Sequence, residues 1–185
     1  GNDYFLRIQY GLEHALAREG YYLMICHIGS KNVSTLESII NENRIDGLVL
    51  LSELASPQIL TVLRESKIPF VIAGRCVEPH SMWVDIDNIG AGWSATECLL
   101  KTGALKIGFL TNSFQKVFVS ERYEGYRNCL KQANVSVPEN AVIDGLTTSN
   151  EILSYITSHE GQLCDAYVAT DSTIAFYFLR ELQKR

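Results

Sequence analysis

With 185 residues, 46% of them hydrophobic and 20% charged, the chain is long enough to bury a core and is neither disordered nor fibrous in composition. The net charge is −5 and the pI about 5.4, with no run of Lys and Arg. These residues alone are therefore not expected to hold nucleic acid, which needs a basic face. No stretch reaches the roughly 18 apolar residues of a membrane span, and the opening GNDYFLRIQYGLEHA has no basic segment ahead of an apolar run. It is read as a helix in a chain that starts inside a fold, not as a signal peptide.

In chain order, Phe5, Ile8, Leu12, Ala15 and Leu16 repeat at helical spacing, and Gly20 is placed to end that helix. Tyr21 to Ile25 is expected to be a short buried strand. Ser34 and Glu37 make an S-x-x-E capping pattern ahead of Leu36, Ile39 and Ile40. Gly47 to Leu51 is a continuous apolar run, as in a strand buried on both faces. Ser56-Pro57 opens a helix faced by Ile59, Leu60 and Leu63, and a strand runs from Phe70 to Ala73. Trp83 to Ile86 is extended, and Asp87-Asn88 leads into a helix faced by Ile89, Trp93, Thr96, Leu99 and Leu100.

The cycle then repeats, with strands at Ile107 to Leu110, Ala141 to Ile143 and Ala166 to Ala169. Helices follow at Ser120 to Ala133, Asn150 to His159 and Ser172 to Gln183, the last faced by Ile174, Ala175, Phe178, Leu179 and Leu182. Short strands alternating with helices predict an α/β fold of βαβ units with parallel sheets and flanking helices. The loop from Arg75 to Ser81 marks the centre, and a boundary near residue 86 gives two Rossmann-like lobes, 1–86 and 87–185.

Motifs for catalysis are scarce. Five scattered cysteines without a C-x-x-C pair read as small buried hydrophobes in a reducing cytoplasm. The four histidines have no metal-ligand spacing. Neither a G-x-S-x-G elbow nor a P-loop occurs, and Gly90-Ala91-Gly92 lacks the third glycine of a dinucleotide fingerprint, so close helix packing is the reading preferred for it. Neither enzyme activity nor a cofactor or metal is expected. Asp85 and Asp87 share one face of an extended segment, but helix capping by Asp87 is favoured over an acid/base pair. Asp171, after an apolar strand, can cap the next helix, face the crevice at the strand ends, or both. Arg122 near a helix start opposes the helix dipole, which suggests a ligand or carboxylate partner. Phe5 reads as core, whereas Tyr4 lies off the helical stripe and can stack on a sugar ring.

Several segments together resemble the LacI/GalR family of regulators, whose sensing core is shaped like a periplasmic sugar-binding protein. They are N-D-Y-F at the start, R-I-D-G-L-V-L at 44–50, I-P-F-V-I-A-G-R at 68–75, V-D-I-D-N at 84–88, K-I-G-F-L at 106–110, E-R-Y-E-G-Y at 121–126 and D-A-Y-V-A-T-D-S-T-I-A at 165–175. The E-R-Y-E-G-Y-x-x-C-L stretch is also similar to maltose-type regulators. The resemblance implies a periplasmic-binding-protein-like pair of lobes with a small effector, such as a sugar, between them. It also implies a cytoplasmic homodimer and an allosteric link to operator DNA through a helix-turn-helix head. The family's first strand, head and final part of the core would lie outside these residues, leaving the fold incomplete at both ends.

By the same resemblance the ligand-binding residues are Tyr4, Phe5, Asp87, Asn88, Arg122, Thr170 and Asp171. Two positions depart from the family pattern: Thr170 stands where Asn is usual, and Gly103-Ala104 where Gly-His is usual. The shorter Thr170 alters which ligand can be read. A periplasmic solute-binding protein of a transporter has the same fold and is the alternative reading.

Overall fold

The computed structural model describes residues 3–27, 33–51 and 55–184. The chain divides into two compact units, 1–48 with 54–70, and 49–53 with 71–185.

The first unit carries three helices, α1 (Asp3–Arg18), α2 (Val33–Asn41) and α3 (Pro57–Ser66). Helix α1 ends as its sequence predicts. Gly20 adopts φ +79°, Gly20 N donates to Ala17 O, and Tyr21 N donates to Leu16 O, so orphan carbonyls are satisfied. Ser56 caps α3 by accepting from Ile59 N (3.3 Å), with Pro57 at the first helical position. Ile59, Leu60 and Leu63 are fully buried, as is Leu36 of α2.

Two expectations fail in this unit. Residues 21–27 belong to neither sheet, and Tyr21, Tyr22, Met24 and Ile25 are exposed. A buried strand needs a ladder neighbour as well as an apolar run, and neither sheet of described residues takes these as a strand. Ser34 is not the cap of α2 either, because Val33 before it is already helical.

Strands β1 (Leu48–Leu51), β2 (Phe70–Ala73) and β3 (Trp83–Val84) form a sheet in that order, with Ile72 beside Trp83 and Ala73 beside Val84 in parallel register. Leu50 is buried but Val49 is exposed, so β1 alternates in burial and is not covered on both faces as expected from its unbroken apolar run.

The second unit holds the more complete fold. Its elements are α4 (Asn88–Lys101), β4 (Ile107–Leu110), α5 (Val117–Gln132), β5 (Val142–Ile143), α6 (Ser149–Ser158), β6 (Ala166–Ala169) and α7 (Ser172–Gln183). The parallel sheet has the order β5-β4-β6, with Leu110 beside both Ile143 and Ala169. Successive residues of β4 enter different cores. Ile107 and Phe109 pack with Val119, Tyr126 and Leu130, whereas Leu110 packs with Ile152, Ile156, Ile174 and Phe178. The alternation of a strand thus sorts α4 and α5 to one face and α6 and α7 to the other. Because the chain leaves β4 toward β5 on one face and reaches β6 from the other, the carboxyl ends of β4 and β6 flank a topological switch point.

Three further readings need correction. Helix α5 begins at Val117, not Ser120, because Val119 is fully buried in the core and brings that turn with it. Arg122 therefore sits in the second turn, where the helix dipole no longer makes it anomalous. Ala175 and Leu179 of α7 are exposed; the buried stripe runs through Ile174, Phe178 and Glu181, narrower than the apolar pattern. Among the five free cysteines Cys129 is buried, but Cys26, in the exposed segment 21–27, and Cys98, on α4, are exposed.

Candidate ligand-binding site at the carboxyl edge of the second sheet

Glycines determine how closely α4 and α5 approach. A Cβ on Gly92 would collide with the backbone of Arg122, and one on Gly125 with the backbone of Ile89 and Trp93. The close-packing reading of Gly92 thus holds, and the contact brings the start of α4 against the second turn of α5.

Asn88 and Arg122 meet there. Arg122 Nε donates to Asn88 Oδ1 (3.0 Å), and Arg122 Nη1 donates to the backbone oxygen of Thr170, just beyond β6. The guanidinium carbon lies 5.0 Å from the centre of the Phe118 ring. Among the described residues no carboxylate pairs with Arg122, and its named acceptors leave guanidinium hydrogens over.

Asn88 is only 2% exposed and its amide is fully committed. Its Nδ2 donates to Asp85 Oδ2 (3.0 Å) and Glu121 Oε2 (3.3 Å), so the carbonyl faces the cation and the NH2 faces the carboxylates. Asp85 also accepts from Arg75 N (2.9 Å) and Ile86 N (2.8 Å), and Arg75 Nη1 pairs with Glu121 Oε1 at 2.6 Å. Arg75 in turn lies over Trp83. Asp85 thus accepts from two backbone N–H groups and the Asn88 amide.

Thr170 is 1% exposed, and its Oγ1 has no hydrogen-bond partner. Asn112 Oδ1, two residues past β4, is likewise buried and unpartnered. Buried polar atoms normally find partners, so two orphans past the ends of adjacent strands mark places where a ligand or water belongs.

The other predicted residues divide clearly. Asp87 caps α4, accepting from Gly90 N (2.8 Å), and Asp171 caps α7, accepting from Thr173 N (2.8 Å) and Ile174 N (3.0 Å). Tyr4 and Phe5 lie in the other unit at the start of α1, with their rings edge to face and 5.4 Å apart. The structure thus brings Asn88, Arg122 and Thr170 together with Asp87 and Asp171 as neighbouring caps. Sequence reasoning missed Arg75, Glu121 and Asn112. Arg75 and Glu121 are 46 residues apart, and no local period links them.

An α/β fold with polar groups at its switch point defines a ligand-binding core. The chain belongs to the family of periplasmic binding proteins and sugar-binding domains of the LacI family, whose model matches residues 2–184. This agrees with the resemblance drawn from the sequence. The chain is 28% identical over 182 residues to the transcriptional regulator MalR of Streptococcus pneumoniae serotype 4, covering 94% of this chain and 55% of that one. It is 30% identical over 148 residues to the repressor PurR of Vibrio campbellii, covering 78% and 44%. The chain spans about half the length of these curated relatives. Among solved structures, the regulator CelR in complex with cellobiose superposes with a TM-score of 0.85 at 27% identity, covering 99% of this chain and 58% of that one. CcpA of Lactococcus lactis superposes at 0.79 with 24% identity, covering 98% and 68%, a likeness of fold.

Proposed function

We propose that these residues are part of the effector-binding core of a LacI-type transcriptional repressor, and that the effector is a small polar molecule, in the first place a sugar. The relatives are regulators, which supports this reading over a transporter's solute-binding protein or an enzyme. The observation that carries the site is an orphan Thr170 hydroxyl on the residue whose backbone oxygen holds Arg122, a guanidinium with no carboxylate partner among the described residues. A polyhydroxylated ligand satisfies both: its oxygens accept from the guanidinium and exchange a hydrogen bond with the threonine.

In this reading the lobes are 1–86 and 87–185, with the effector in the cleft that family membership implies. Tyr4 and Phe5 supply an aromatic platform, and Asp87, Asn88 and Asp171 frame Arg122 and Thr170. Operator DNA is bound by a separate head, consistent with the acidic charge here. The whole protein is a cytoplasmic homodimer in which effector binding changes operator affinity. Neither a cofactor nor a catalytic step is involved, and among the described residues no helix is long and apolar enough to cross a membrane.

Thr170→Val tests the site in the full-length protein. Valine keeps the shape and removes an unpaired buried hydroxyl, so urea unfolding without ligand should show a gain of about 1 kcal/mol. Calorimetric titration with maltose, cellobiose and ribose should show the same variant binding its sugar about tenfold more weakly. Equal affinity in the two proteins, or no binding by any sugar, rules the reading out.

A further inference from the structure

We infer that Glu121 is a positioning residue: through the Asn88 amide it sets the direction in which Arg122 presents its remaining guanidinium hydrogens. The inference rests on the reading that Arg122 contacts the effector.

The geometry is a single line of hydrogen bonds. Arg75 holds Glu121 Oε1 at 2.6 Å, and Glu121 Oε2 accepts from Asn88 Nδ2 at 3.3 Å. Asn88 Oδ1 accepts from Arg122 Nε at 3.0 Å, and Arg122 Nη1 reaches Thr170 O. An asparagine amide can be turned over with little change in shape. Turned over here, it would aim an NH2 at a guanidinium and a carbonyl at Asp85 and Glu121. The two carboxylates exclude that orientation, and so they fix the acceptor that Arg122 needs.

Glu121 adjoins Arg122 in sequence, yet its carboxylate is spent on Arg75 and Asn88. An ion pair between the neighbours would have used the guanidinium that a ligand requires. Arg75 draws Glu121 away, which leaves the partly buried Arg122 with guanidinium hydrogens that Asn88 Oδ1 and Thr170 O do not use. Preorganisation of this kind lowers what a ligand must spend on ordering the site.

The test uses the full-length protein labelled with 15N-arginine, with the Arg122 Nε–H resonance identified by its loss in Arg122→Lys. Glu121→Gln is nearly isosteric but can no longer accept from Arg75 and Asn88 with both oxygens. It should speed solvent exchange of the Arg122 Nε–H about tenfold, while the melting temperature stays within a few degrees. Asn88→Ala should do the same, and the double variant should exchange no faster than Asn88→Ala alone, because the two act along one line. Glu121→Asp, which keeps the charge, should restore part of the protection. An unchanged Arg122 signal in Glu121→Gln, or effects that multiply in the double variant, would overturn the inference.

A second arm titrates the wild type and Glu121→Gln with maltose and cellobiose. Weaker binding by about tenfold in the variant is expected; unchanged binding overturns the positioning role. If the wild type binds neither sugar, the sugar reading fails, whereas the exchange result still decides whether Glu121 orders Arg122.

Discussion

Thr147 and Thr148 surround the Glu151 carboxylate with donors: the Thr147 hydroxyl and the backbone N–H groups of both threonines each lie 2.8 Å from Oε2. Thr148 returns the favour by accepting from Glu151 N, completing a capping box at the start of α6. The Thr147 hydroxyl first, and then the backbone donors, draw the Glu151 pKa down from 4.5 to about 2. A depressed carboxylate stabilises the fold above its unfolded pKa, and that contribution is lost as pH falls from about 4.5 toward about 2. The melting temperature of Glu151→Gln should therefore drop less than that of the wild type between pH 5 and pH 2. Parallel curves would mean that the box does not persist in solution.

At the same scale, the sequence disclosed the caps most readily. Asp87, Asp171 and Ser56 were legible because capping is local: a short polar side chain precedes an apolar helical period by a fixed offset. Ser34 failed because it lies within α2, behind the helical Val33, and a capping pattern does not by itself tell a cap from a residue inside the helix. The polar line from Arg75 to Arg122 was not legible. It joins residues on β2's exit, the start of α4 and α5, and only the fold decides which carboxylate meets which cation.

At the scale of elements, α4 and α5 set the site. Their backbones touch at Gly92 and Gly125, and both glycines have ordinary helical φ, so space and not conformational freedom demands them. In Gly92→Ala or Gly125→Ala the added methyl meets backbone that cannot rotate away, so the helices must separate. A loss of about 1–3 kcal/mol in urea unfolding is expected, the range for overpacking. Since separation also pulls Asn88 from Arg122, the same variants should bind sugar more weakly. Unchanged stability in either would mean that the helices have room the structure does not show.

Strands β4 and β6 were readable to the residue as apolar runs bounded by polar residues, and α7 by its helical period behind Asp171. The start of α5 moved by three residues because Val117, Phe118 and Val119 form no local signal, and burial of Val119 decides it. Residues 21–25 looked like a strand for the same reason that β4 did. What separates the two cases is a neighbouring strand, which composition cannot announce.

At the scale of the whole molecule, family membership was legible through motifs spread over nearly all the chain, each weak alone. The fold followed from alternation of strand and helix periods. The site followed only in part. Arg122, Asn88 and Thr170 meet, whereas Tyr4 and Phe5 belong to a different unit, and their contribution rests on the family resemblance.

Under the proposed function, occupancy at Arg122 and Thr170 changes how tightly the full-length protein holds operator DNA. Ligands shift such an equilibrium only through unequal affinity for two states. The direct measurement is fluorescence anisotropy of the full-length protein on operator DNA selected with it, titrated with the sugar that calorimetry identifies. A change of about tenfold in DNA affinity is predicted, half-complete near the sugar's own dissociation constant. In Arg122→Ala it should be lost while DNA binding without sugar is kept. DNA affinity indifferent to sugar, or a response in Arg122→Ala equal to that of the wild type, would contradict the account.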